Sequence, residues 1–266
     1  MRLALIIGFI AQCALLQAST LIDGLYYDLD MSTRTATVTY EKEGTGNYAS
    51  LPANVKIPES IEYNGVTYSV TKIANRAFEN CQSLESISIP GSVVEIGETY
   101  NSRDYGARLP FYNCTALKSV RFEDGEKGLV LGASYDTPSY MYNRGLFSYC
   151  PLEEVYIGRN ISYQKYSSTT FENAPENYGY SAFYNQPKLT KVTISPAVTE
   201  IPAYLFYKNA SLTMTTLPKV KKIGVSAFQE CSKLTTLNLG EDMQEVGNDA
   251  FNGCKNVTKL TFPDAI

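Results

Sequence analysis

The 266-residue chain has no histidine and no tryptophan. Histidine is the commonest general base near neutral pH and the commonest metal ligand. Its absence removes Ser–His and Cys–His nucleophile pairs and most metal centres together. Charge is also sparse: Asp, Glu, Lys and Arg make up 19% of residues and the net charge is −4. No basic stripe stands out against that balance, which argues against a nucleic-acid partner. There is no C-x-x-C pair, and the six cysteines leave an odd five once Cys13 in the leader is set aside. That count suits neither a disulfide framework nor a clustered metal site. No catalytic set, cofactor site or metal site is expected.

Long apolar runs are missing with one exception. Residues 1–20 read MRLALIIGFIAQCALLQAST, a basic start and then a run from Leu3 to Leu16 broken only by Gln12. Small residues follow, the layout of a secretory signal peptide over 1–18, and the run is too short to span a bilayer. Gln12 before Cys13 argues against a lipoprotein site, where a small side chain is wanted. The rest of the chain is expected to be exported, with no transmembrane span.

The sequence is rich in tyrosine (21) and in self-similarity. Phe78, Phe111, Phe147, Phe183, Phe206, Phe228 and Phe251 recur in one phase, about 23 residues apart in the later copies and roughly 33–36 apart in the earlier ones. Three residues after each stand Cys81, Cys114, Cys150, Gln186, Asn209, Cys231 and Cys254. Leucine follows three residues later in most copies, then an x-φ-x-φ segment such as Ile87/Ile89 or Val120/Phe122. Such alternation predicts a short strand with one buried face. A unit this small cannot close its own core, so neighbours must stack. The expected fold is a mostly β repeat solenoid of about seven turns, with one short parallel strand per repeat. The in-phase cysteines read as small hydrophobes in an interior column.

The unit A-F-x-x-C-x-x-L-x-x-φ-x-φ-P…φ-x-x-I-G resembles the BspA-like bacterial leucine-rich repeats. The preceding stretch, with "IDGLYYDLD" (22–30), "TATVTY" (35–40) and "VKIPESIEYNGVTYSVTKI" (55–73), is similar to the β-rich leader of exported Bacteroidetes proteins of that kind. The resemblance implies a right-handed leucine-rich-repeat solenoid over 71–266, capped by 19–70. It further implies a secreted or cell-surface interaction protein, often adhesive; the expected partner is an extracellular protein of a host or neighbouring cell, or a glycan. It fixes neither ligand nor oligomeric state.

Two sets of candidate binding residues follow. The first three repeats are enlarged by insertions at 98–108, 125–144 and 160–180. These carry Tyr100, Tyr105, Tyr135, Tyr140, Tyr142, Tyr163, Tyr166, Tyr178 and Tyr180. Tyrosine offers apolar area and a hydroxyl at low entropic cost, so a Tyr-rich patch for protein, or alternatively for glycan, is expected there, the other reading being that these tyrosines pack the loops onto the flank of the solenoid. The second set is the open strand face, with Arg121, Tyr156, Thr193 and Asn238 at equivalent positions. No two carboxylates share a register on that face, which argues against glycoside hydrolysis. The chain ends at Ile266, shortly after the seventh strand and without a polar capping unit, and reads as a truncated or minimal copy.

Overall fold

The computed structural model describes residues 19–41, 48, 51–97, 100–101, 109–132, 134–135, 146–164, 182–213 and 217–261. Every regular element among them is a β-strand. Strands Asn54–Lys56, Ser86–Ile89, Ser119–Phe122, Glu154–Ile157 and Lys191–Ile194 lie side by side in that order as a parallel sheet, the front sheet. The alternation reads through directly. Ile87, Val120, Val155 and Val192 form one inward row in register, and Ile89, Phe122, Ile157 and Ile194 form the next. Both rows are buried. A further parallel pair, Thr236–Asn238 with Lys259–Thr261, repeats the pattern near the C-terminus.

Each turn then crosses the core to a second strand, of two or three residues in every turn after the first. Val66–Ile73, Glu95–Ile96, Leu129–Leu131 and Ile161–Tyr163 pair in parallel, and Glu200–Ile201, Lys222–Ile223 and Glu245–Val246 do the same further along. This back sheet corrects two expected insertion boundaries. Residues 129–131 and 161–163 are ordinary back strands, so the added chain follows residues 132 and 164 rather than beginning at 125 and 160. Their L-V-L and I-S-Y patterns differ from the φ-x-x-I-G of other turns, which hid the equivalence.

The N-terminal region is continuous with the solenoid. Antiparallel strands Thr20–Ile22, Leu25–Asp30 and Thr35–Thr39 end in a parallel pairing of Thr35–Thr39 with Val66–Ile73. The boundary expected at residue 70 falls inside that strand. Residues 54–73 already supply the first strand of both sheets.

Between the sheets, the seven anchor phenylalanines stack face to face with ring centroids 4.9–5.7 Å apart. All but Phe251 are fully buried. A buried ring of this kind contributes roughly 2–3 kcal/mol through lost water contact alone. Tyr48 closes the stack at its start, 5.7 Å from Phe78, with its hydroxyl donating to the Thr39 carbonyl at 2.7 Å.

The cysteine column has a shared chemistry beyond size. Cys114, Cys150, Cys231 and Cys254 each donate Sγ–H to the carbonyl of the anchor phenylalanine one turn back, at 2.9–3.1 Å. Gln186 and Asn209 do the same with their amide nitrogens, to Phe147 O at 3.1 Å and Phe183 O at 2.7 Å. The position requires a donor that satisfies a buried carbonyl, and thiol or amide serves. All five described cysteines are free.

Candidate functional site

The outward side chains of the front sheet form rows as regular as the inward ones. Ser88, Arg121, Tyr156 and Thr193 stand opposite one another across four strands. The centre of this row is tied together. The Arg121 guanidinium lies 3.6 Å from the centroid of the Tyr156 ring, and its Nε donates to Glu123 Oε2 at 2.9 Å. Glu123 Oε1 accepts from the Ser88 hydroxyl at 2.5 Å. The Tyr156 hydroxyl donates to Asp124 at 3.0 Å, and Asp124 accepts again from Ser195 Oγ at 2.7 Å. Partial burial alone would raise the Glu123 carboxyl. Hydrogen bonds from Ser88 and Arg121 outweigh it and hold the group below the usual carboxylate range. One row below, Glu154 pairs with Lys191 at 3.0 Å and accepts from Ser119 at 3.3 Å.

Such exposed pairs add little stability, about 0–1 kcal/mol each. Their consequence is geometric: Arg121 and Tyr156, two long side chains on an open sheet, are held in one arrangement before any partner arrives. Arg and Tyr are the residue types that most often anchor protein interfaces.

Of the residues expected from sequence, the front row therefore gathers Arg121, Tyr156 and Thr193. Asn238 lies apart, in the Thr236–Asn238 strand opposite Thr261. Glu123, Asp124 and Ser195 complete the cluster and were not anticipated. They sit just past the strands, and the Ser195–Asp124 contact spans 71 residues of sequence. Among the insertion tyrosines, Tyr100 and Tyr135 belong to a two-stranded parallel pair, Tyr100–Asn101 with Ser134–Tyr135, which joins the first two insertions. Tyr163 belongs to the back sheet: its ring packs on the core and its hydroxyl is buried. Burial pushes its phenol above the ordinary value, and it presents no hydroxyl surface to a ligand. Tyr105, Tyr140, Tyr142, Tyr166, Tyr178 and Tyr180 lie outside the described residues.

The profile of the BspA-type leucine-rich repeat region matches residues 58–125 and 143–266, in six copies. The chain belongs to the BspA-type leucine-rich repeat family. The unmatched stretch between the two blocks contains most of the second insertion. Among solved structures, the chain is similar to the Treponema pallidum leucine-rich repeat protein TpLRR, at 22% identity over 91% of each chain and a TM-score of 0.55. It is also similar to a leucine-rich repeat protein from Bacteroides ovatus, at 21% identity over 92% of this chain and 59% of that one, with a TM-score of 0.48. This chain thus spans about three fifths of the Bacteroides ovatus protein. Comparison with curated proteins finds no match. No helix among the described residues is long and apolar enough to cross a membrane.

A second surface of this BspA-type solenoid lies at the corner where each turn passes through its anchor phenylalanine. Two residues after the anchor, Asn80, Asn113, Tyr149, Asn185, Lys208, Glu230 and Gly253 all have positive φ. In that conformation the Asn113 N–H meets the Ser148 carbonyl of the next turn, and Asn185 N–H likewise meets Tyr207, Lys208 meets Gln229, and Glu230 meets Asn252, at 2.7–3.1 Å. Asparagine and glycine tolerate this region, whereas a tyrosine there is an outlier. Tyr149 is 63% exposed, with its ring edge-on to Tyr112 at 5.4 Å. Tyr204, also at positive φ, packs edge-on to Tyr207, which in turn lies 5.6 Å from Tyr184. Lys208 Nζ stands 5.1 Å from the Tyr207 ring and 5.9 Å from that of Tyr184. The sequence carried a signal for this corner: FYN at 111–113 and 183–185, and FYK at 206–208.

Proposed function

We propose that the chain is a non-enzymatic, exported binding protein that acts at the cell surface or in the extracellular space. Its front sheet would engage an extracellular protein, in adhesion to a host or neighbouring cell. The leader at 1–18 supports export. The observation that carries the binding assignment is the prearranged Arg121–Tyr156 pair, locked by Glu123, Asp124, Ser88 and Ser195 on an open parallel sheet. A preordered Arg and Tyr lose little side-chain entropy on association, which favours affinity. Membership of a repeat family fits the same reading, because a solenoid spreads a continuous surface with no enclosed cleft.

A plate assay against immobilised extracellular-matrix proteins tests it. Arg121→Ala and Tyr156→Ala should each weaken capture about tenfold or more, as interface anchors do, with thermal unfolding unchanged. Undiminished capture by both variants refutes the front-face assignment. N-terminal sequencing of protein recovered from culture medium should begin after Ala18, and retention of the full chain inside the cell would overturn export.

A further inference from the structure

We propose that the corner of the solenoid at Tyr149, Asn185 and Lys208 is a binding site for an acidic glycan, separate from the front face. These three residues occupy the same phase of three consecutive turns, so they form a line along the solenoid axis: an aromatic ring, an amide, then a cation. Adjacent turns stand about one strand spacing apart, which places the ring and the amine roughly 10 Å from each other. That is the scale of a short oligosaccharide. A pyranose recognises such a line group by group: its C–H face covers an aromatic ring, its hydroxyls meet an amide, and a uronic-acid carboxylate meets an ammonium.

Three observations favour this occupant. Tyr149 adopts the left-handed conformation that its phase-mates reach with asparagine, lysine, glutamate or glycine. The residue is nonetheless 63% exposed, so burial does not offset the strain. Strained exposed residues of this kind belong to functional surfaces. Lys208 is held beside Tyr184 and Tyr207, which fixes its amine at the end of the line. Among the described residues the surroundings are aromatic and polar: the exposed large hydrophobics are Leu21, Met31 and Tyr149, and the first two lie in the N-terminal strands and their turn. Glu230, the next residue along the line, bounds the site, since an anionic ligand stops at Lys208.

The test is a calorimetric titration of the full chain with oligogalacturonate and hyaluronan oligosaccharides, each beside its carboxyl-methyl ester. The acids should bind saturably and the esters roughly tenfold more weakly, the change expected when one charged contact is removed. Tyr149→Asn installs the residue that Asn80, Asn113 and Asn185 already use at this phase. It should melt no lower than the parent and yet lose at least tenfold in acid affinity. Lys208→Asn should bring the acids down to the level of the esters. Arg121→Ala should leave glycan binding unchanged, which separates this site from the front face. Absence of saturable acid binding, equal affinity for acid and ester, or parental affinity in Tyr149→Asn each overturns the proposal. Loss of matrix-protein capture in Tyr149→Asn, without glycan binding by the parent, would assign the corner to a protein partner and overturn it as well.

Discussion

Replacing Asn209 by leucine tests what the cysteine column is for. Asn209 is fully buried, and it satisfies two backbone groups: Nδ2 donates to Phe183 O at 2.7 Å, and Oδ1 accepts from Gln186 N–H at 3.0 Å. If the column were only a row of small apolar side chains, leucine at 209 would be neutral or stabilising, with about 2 kcal/mol of added apolar burial. If the column supplies donors, the substitution leaves a buried carbonyl and a buried N–H without partners, at about 1–3 kcal/mol each. The two effects oppose, and the unpaired groups win by about 2 kcal/mol. Asn209→Cys should cost less, because a thiol keeps the bond to Phe183 O, just as Cys231 and Cys254 donate to Phe206 O and Phe228 O one and two turns on. The measurements are urea unfolding with matched m-values and amide exchange at Gln186. Exchange at Gln186 should accelerate in both variants, while the stability loss should be larger in leucine. An Asn209→Leu protein as stable as the parent would refute the donor argument and restore the reading of the column as plain hydrophobic filling.

Gly247→Ala should destabilise the last turns by about 2–3 kcal/mol, the cost of overpacking a closed contact. A Cβ there would meet the backbone of Val225 and Gly224 in the preceding turn, and a urea midpoint equal to the parent's would contradict the contact. Stability should also fall as pH rises through the alkaline range, with Cys81 a named contributor. Burial, with a lesser effect from neighbouring Cys114, pushes its thiol from 9.0 up to about 12. The unfolded chain therefore loses this proton first, and stability present below pH 9 is lost progressively between pH 9 and 12, at up to about 1.4 kcal/mol per pH unit. Cys81→Val should flatten that part of the curve; a parallel pH dependence in the variant would exclude Cys81 as a source.

Which parts of this molecule were readable from sequence follows from the range of the interactions involved. The alternation Ile87/Ile89 or Val155/Ile157 is a local pattern with one cause, burial of every second side chain, and the sheet repeats it without exception across the described front strands. The anchor phenylalanines were legible for the same reason, since seven copies of one packing problem leave seven copies of one solution. By hydropathy Gln186 and Asn209 break the run of cysteines; hydrogen-bond donation is the property the fold repeats from turn to turn. The back strands at 129–131 and 161–163 were mistaken for inserted chain because they solve the packing with a different local pattern. Tyr163 was thereby assigned to a surface when it belongs against the core. The front cluster was half legible. Arg121, Tyr156 and Thr193 share a phase, but Glu123, Asp124 and Ser195 join them through contacts between turns, where no periodic signal exists. At the corner the obstacle was of another kind. The FYN and FYK triplets were visible, yet Tyr149, Lys208 and Glu230 give no local sign of the left-handed conformation they share with the asparagines and glycine of their phase. Only that backbone constraint separates Tyr149, which strains to be there, from Asn113 and Asn185, which do not. The irregular residue within a regular array is where a solenoid can afford a ligand, because every neighbouring turn already holds the fold in place.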